Sequence, residues 1–232
     1  MAIESSAIET LIETRNELAP LFPLELLSTT PFKFDFSEGN NDIKEIDMTK
    51  GDLEPYINDV LKTSGRAWGY GGWGENRFLY ESSPLFKDGD GYRSIHLGID
   101  IWLPAGTPLF APLPGRIHSF QDNHNYLDYG PTIITEHTIN DDTFYILYGH
   151  LSRPSLEGLT VGQTVSAGEQ IATIGTPEEN VGWPPHVHLQ LIKNMCGKKG
   201  DFPGVATPAE KERYLDLCPN PGVLFERFVV NR

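Results

Sequence analysis

Two rhythms of apolar and polar positions run along the chain. Near its start, Ile8, Leu11 and Ile12 share one face of a helical segment from about Ala7 to Leu18, which Pro20 stops. Leu53, Tyr56, Ile57, Val60 and Leu61 follow the i, i+3, i+4, i+7, i+8 spacing and predict a helix over Asp52–Thr63, with Asp52 as N-cap and Gly65 at its end. Between the two helices, PFKFDFS alternates, so Phe32, Phe34 and Phe36 line one face of a strand. From Ile95 to Ile192 the period shortens to two. Strands are expected at Ile99–Leu103, Arg116–Phe120, Thr132–His137, Phe144–His150, Ile171–Ile174 and Val187–Ile192, with Asn140-Asp141-Asp142 as a hairpin turn. Thr207-Pro208-Ala209-Glu210 then carries an N-cap, a Pro at N1 and a Glu at N3, the start of a short helix. The pattern describes a mainly β protein, α+β overall. Its β domain covers residues 91–195, between an α/β extension over 1–90 and a C-terminal extension over 196–232. An apolar helical stripe is not left in water, so the Asp52–Thr63 helix is expected to pack on the β domain.

Composition sharpens this picture. A chain of 232 residues suits one medium domain with extensions, and 23 Gly with 18 Pro point to many short strands. A formal net charge of -14 argues against nucleic-acid or anionic-membrane partners, which would be repelled. MAIESSAIETLIETRNELAPLF has neither a basic n-region nor a continuous apolar run, and no stretch approaches the roughly 18 to 20 apolar residues of a membrane span. The expectation is a cytoplasmic protein without membrane insertion; a processed chain would be periplasmic or extracellular. Cys196 and Cys218 either pair or stay as free thiols, and two cysteines so spaced do not make a cysteine-ligated zinc site. Metal chemistry here has to rest on histidine and carboxylate.

Of seven histidines, four fall in three tight contexts: HLGID (His96, with Asp100), YGHLS (His150) and PPHVHLQL (His186 and His188). On a strand, His186 and His188 point to one face about 7 Å apart, while Val187, Leu189 and Leu191 point to the other. His96 and Asp100 would be about 13 Å apart on a straight strand. They share a site only if the chain turns at Leu97-Gly98, and glycine permits that turn. A carboxylate projecting beside a core needs a partner, and a dication is a strong one. Three N and O ligands with an open position make up a catalytic zinc site. Each piece alone has an ordinary reading. A lone HxxxD recurs by chance, sheet histidines also hydrogen-bond or face solvent, and a single histidine such as His150 is usually structural. Their concentration in one β-rich segment favours chemistry. His118, His124 and His137 lack such a context and are expected to be structural.

These motifs resemble the lysostaphin/LytM-type zinc metallopeptidases, a family of peptidoglycan endopeptidases. RSIHLGIDIWLPAGTPLFAPLPGRI is similar to the family's opening HxGxD run. TIITEH with FYILYGHLS looks like the middle of its domain, LTVGQTVSAGEQIATIG like its next segment, and PPHVHLQL stands where the family has its final HxH. The match runs from about Arg93 to Ile192, and the long flanks make this a long variant. The resemblance implies a lysostaphin/LytM-like antiparallel β core. It also implies one Zn2+ per chain, held by His96, Asp100 and His188, with His150 and His186 as the catalytic histidines. The implied activity is hydrolysis of short Gly- or D-amino-acid-containing peptides, with peptidoglycan cross-links or muropeptides as leading substrates. A non-catalytic module that binds wall peptides or activates a partner hydrolase is the alternative, and retention of all five residues argues against it. LTVGQTVSAGEQIATIG alone would also suit a lipoyl- or biotinyl-carrier hairpin, but no lysine sits at the tip.

Asn180-Val181-Gly182-Trp183-Pro184-Pro185 and Asp128-Tyr129-Gly130-Pro131 depart from the family's usual loops. The aromatic segment starting at Gly65 reads as an ordered loop or as a surface for peptide or sugar. Tyr70, Trp73 and Trp183 are therefore the expected substrate-binding residues, narrowing the groove. The oligomeric state is open.

Overall fold

Eight extended runs join into one sheet. In chain order they are β1 (Phe32–Lys33), β2 (Gly69–Gly71), β3 (Ile99–Trp102), β4 (Gly115–Asn123), β5 (Gly130–Ile139), β6 (Asp142–Gly149), β7 (Thr164–Val165) and β8 (His186–Ile192). The computed structural model describes residues 7–229, and across its sheet the strands run β1-β2-β3-β8-β6-β5-β4-β7. Only the β1–β2 pair is parallel; the other neighbours are antiparallel. The fold is mainly β with short helices on its flanks.

Register places the chemistry. Asp100 on β3 stands opposite His188 on β8 and Gly71 on β2, and His188 stands opposite Gly149 at the end of β6. Gly71, Asp100, His188 and Gly149 thus form one row across four strands, with His150 the next residue after it. Val187, Leu189 and Leu191 point into the main apolar core with Ile99, Ile101 and Ile146. The opposite face of β8, with His186, His188 and Gln190, is equally buried. A strand covered on both faces yet polar on one must have its polar groups partnered.

The β5–β6 hairpin turns on Asn140 and Asp141 alone, because Asp142 already pairs with Ile139. Both turn residues have left-handed φ, 51° and 66°, as a type I′ turn requires. The first helix, α1, spans Ala7–Glu13, and the expected continuation to Leu18 is instead a separate 3-10 turn over Arg15–Glu17. Leu11 is buried, while Ile12 stays 45% exposed. After a single-turn helix at Leu24–Leu27, a longer helix, here α2, spans Leu53–Ser64 and closes on Gly65 in the left-handed region. Asp52 does not cap it: its carboxylate accepts from the Asp47 backbone N–H at 3.2 Å. Leu53 and Ile57 of α2 join a second core with Phe34, Phe36, Trp102 and Trp183, so the helix lies against β3 and the loop before β8. Burial of side chains this size is worth about 1.5–3 kcal/mol each. The expected Phe32–Phe36 strand is cut to the two residues of β1, though Phe34 N–H still donates to the Tyr70 carbonyl at 2.9 Å and Phe32, Phe34 and Phe36 all face that second core. Thr207 bonds the Glu210 carboxylate rather than capping a helix, and the last helix, α3, begins at Lys211 (Lys211–Leu217) after a 3-10 turn. Both cysteines are free thiols, Cys196 exposed and Cys218 buried.

His137 is structural. Its Nδ1–H donates to the Pro114 carbonyl at 2.8 Å and its Nε2 meets the Thr135 hydroxyl at 2.7 Å. Burial pulls its pKa from 6.5 down to about 4. The unfolded chain takes up that proton near pH 6.5, whereas the native site resists it until about pH 4. The neutral ring's stabilisation is complete above pH 6.5 and is lost as pH falls towards 4. Melting curves between pH 7 and 4 should show His137→Gln less stable at pH 7 but flatter with pH. An unchanged pH slope would contradict this assignment.

Candidate active site

The HLGID segment does turn between His96 and Asp100. Ile95–His96 pairs with Val205–Ala206 as a separate two-stranded piece, and β3 starts after Gly98. A Cβ on Gly98 would lie 2.5 Å from His188 Nε2 and 2.6 Å from the Leu189 carbonyl, so the bend needs glycine because β8 passes against it. At the end of β6, His150 adopts a left-handed φ of 63°, turning the chain away from the ladder. Such a conformation is uncommon outside glycine and marks a position held by its surroundings.

The turn gathers three donor atoms. His96 Nε2 and His188 Nδ1 are 3.0 Å apart, and Asp100 Oδ1 lies 3.3 Å from the first and 3.1 Å from the second. The partners behind them set the tautomers. The Gly72 carbonyl can only accept, so His96 Nδ1, at 3.0 Å, is the N–H and Nε2 keeps its lone pair. The Pro203 carbonyl takes the Gln190 amide N–H at 3.0 Å, which turns Gln190 Oε1 towards His188 Nε2 at 2.9 Å. Neutral His188 therefore donates from Nε2 and keeps its lone pair on Nδ1. Two imidazole lone pairs and a carboxylate oxygen converge with no hydrogen among them. A single proton could serve only one pair of this triangle; a cation serves all three. Tetrahedral zinc at about 2.1 Å from each ligand spaces them about 3.4 Å apart, which these separations approach. The donor set fits the group.

Burial governs the electrostatics. It pulls His96 down to about 4, with the neighbouring Arg77 cation adding to the effect. His150 is held well below the ordinary histidine range by burial and then by His186 and His188, and burial also lowers His186. All three rings are neutral near pH 7 and able to act as ligands or bases. Burial opposes ionisation of Asp100, but His96 and Arg77 outweigh it and keep the carboxylate well below its usual range.

His186 and His150 flank the triangle. His186 Nδ1–H donates to the Pro184 carbonyl at 2.7 Å, leaving Nε2 as an acceptor 3.8 Å from Asp100 Oδ1. The His150 ring lies 4.0 Å from His186 between centroids, and its buried Nδ1 has no partner. The five histidine and aspartate positions read from the motifs thus come together in one cavity of about 300 Å³.

Residues 94–199 match the model of peptidase family M23. That match covers 106 of the 232 residues, somewhat under half of the chain. Among solved structures, the chain is similar to the catalytic domain of a mutant of the prophage-encoded M23 protein EnpA from Enterococcus faecalis. The identity there is 27%, over 49% of this chain and 79% of that one, with a TM-score of 0.37. The lysostaphin catalytic domain from Staphylococcus simulans matches at 22% identity over 67% of this chain and 94% of that one, TM-score 0.42. A zinc-containing peptidase from Vibrio cholerae matches at 24% over 47% of this chain, TM-score 0.36; the match spans only 31% of that protein. No curated protein matches in sequence.

The matched segment does not build the cavity alone. Tyr80, Leu85 and Phe86 come from the N-terminal side, and Asp201–Val205 from the C-terminal side. Trp183 lines the cavity, its ring centre 5.9 Å from those of both His150 and His186, with its Nε1–H buried and unpartnered. Tyr70 and Trp73 do not. Tyr70 packs edge-on against Phe225 in the opposite core, and Trp73 Nε1–H donates to the Cys218 carbonyl at 2.8 Å. Their segment serves the site through backbone instead, by the Gly71 pairing and the Gly72 carbonyl.

Two polar contributors escaped the sequence reading. Gln190 was legible, since it lies on the same face as His186 and His188 two residues further on. Arg77 was not, because nothing in GENRFLY says that its guanidinium is buried. Gly98→Ala should destabilise the chain by about 1–3 kcal/mol through overpacking against His188 and Leu189. Chemical denaturation checks this, and a neutral result would mean that the bend tolerates a side chain.

Proposed function

We propose that the chain is a zinc-dependent metalloendopeptidase acting on short Gly- or D-amino-acid-containing peptides, with muropeptides and peptidoglycan-type cross-links as its substrate class. One observation carries the reading: three hydrogen-free lone pairs, from His96, Asp100 and His188, converge beside two more buried imidazoles in a segment that matches a peptidase family. Zinc, when bound, supplies Lewis acidity towards the scissile carbonyl and lowers the pKa of its water towards neutrality. His186, whose Nε2 is kept as an acceptor by the Pro184 carbonyl, takes the proton of the attacking water and returns it to the leaving amine. His150 offers a hydrogen bond to the oxygen that gains charge as the carbonyl is attacked. Trp183 and Tyr129 line the cavity with their rings beside His150.

The cavity supports a short substrate. At about 300 Å³ it stands at the lower end of the range for ligand sites, and Phe86, Trp183 and Tyr80 wall it with aromatic rings. Arg93 and Lys198 on one hand, and Asp128 and Asp201 on the other, give its lining charges of both signs, suited to a zwitterionic peptide.

Metal analysis should find one zinc per chain, lost in His188→Ala and retained in His150→Ala, while His150→Ala lowers peptide turnover about 10²- to 10⁴-fold. Loss of zinc from His150→Ala would reverse the assigned roles. Incubation with free muropeptides, oligoglycine and intact cell walls, read by mass spectrometry, should show cleavage confined to the soluble peptides. Efficient digestion of intact wall would count against the narrow cavity as the selecting feature.

A further inference from the structure

Arg77 lies outside the segment matched to the peptidase family, yet its guanidinium is 3% exposed and reaches the row of site residues. Nη1 donates to Asp100 Oδ2 at 2.6 Å and to the Tyr80 hydroxyl at 2.9 Å. Nε donates to Glu75 at 3.0 Å, and Nη2 points to the Gly71 carbonyl at 3.4 Å. The guanidinium carbon sits 5.2 Å from the centre of the Phe36 ring. Gly72, at φ 108°, is shaped around this group: a Cβ there would fall on the Arg77 Nη2 atom. Charge, hydrogen bonds, ring and backbone together form a built socket.

We propose that Arg77 is a positioning residue of the metal centre, through which the N-terminal extension presents Asp100 to the metal by one oxygen only. The geometry divides the carboxylate: Oδ2 is taken by Arg77, while Oδ1 faces His96 and His188. A carboxylate held at its outer oxygen cannot rotate to bind a cation through both, and ligand number is thereby kept low with a position open for water. Lysine would keep the charge but not the planar fork that spans Glu75 and Asp100. The inference rests on the metallopeptidase reading.

The test uses the full chain, with Zn2+ and Co2+ as probes. Arg77→Met should weaken Zn2+ binding about 10- to 100-fold in chelator competition. It should also weaken the visible bands of the Co2+ form, as coordination rises above four. Arg77→Lys should restore part of the affinity without restoring the wild-type spectrum. Wild-type affinity and spectrum in a folded Arg77→Met protein would overturn the proposal and leave Arg77 a structural ion pair. If Arg77→Met does not fold, Arg77→Lys decides: an altered Co2+ spectrum supports the proposal and a wild-type spectrum overturns it. Failure of the wild-type chain to bind one Zn2+ would instead refute the metallopeptidase reading itself.

Discussion

An ionised carboxylate 5% exposed to solvent is the constraint around which this molecule is organised. Removing Asp100 from water is costly unless its lone pairs are answered, and the protein's own hydrogen bonds answer only one of its two oxygens. Arg77 takes one oxygen, and His96 and His188 face the other across 3.3 and 3.1 Å. The imidazoles are in turn held by acceptors that leave their lone pairs on the inner side. The result is a centre with one hydrogen-bonded outer shell and an inner space suited to a cation. The bend at Gly98, the bare backbone at Gly72 and the left-handed turn at His150 are local consequences of crowding these groups together.

The same constraint explains why the flanks are bound to the β domain. Residues 1–90 supply the Gly72 carbonyl, Arg77 and a wall of the cavity, while the 3-10 turns and aromatic rings around them bury the guanidinium. After β8, Pro203 orients Gln190 and Val205 pairs with His96. The central strands bring the donors together, and both extensions set their orientation.

This division of labour shapes the cavity. The cavity walls come largely from the flanks and from two loops, one at Leu127–Tyr129 and one that carries Trp183. Those segments alter the shape and charge around the donors without moving the donors themselves, because the sheet register holds His188 against Asp100 independently of them.

The sequence by itself determined the β core, the two-residue hairpin at Asn140–Asp141, the apolar stripe of α2, and the five residues at the centre of the site. Each is a local or periodic signal: alternation on β8 puts His186 and His188 on one face, and Gly98 permits the turn that joins His96 to Asp100. Tertiary structure decided the rest. Tyr70 and Trp73 look like groove residues in a Gly-rich run, but β2 pairing on β3 sends the Tyr70 side chain to the opposite core, Trp73 bonds the Cys218 carbonyl, and only the Gly71 and Gly72 backbone between them reaches the site. Phe32, Phe34 and Phe36 do share one apolar face, with Phe34 and Phe36 against Trp102, but pairing with β2 extends no further than the bond from Phe34 N–H to the Tyr70 carbonyl. Arg77 carries no local mark at all. Its partners, Asp100 and Phe36, are 23 and 41 positions away, and contacts between distant segments are set by how the chain closes, not by any spacing along it.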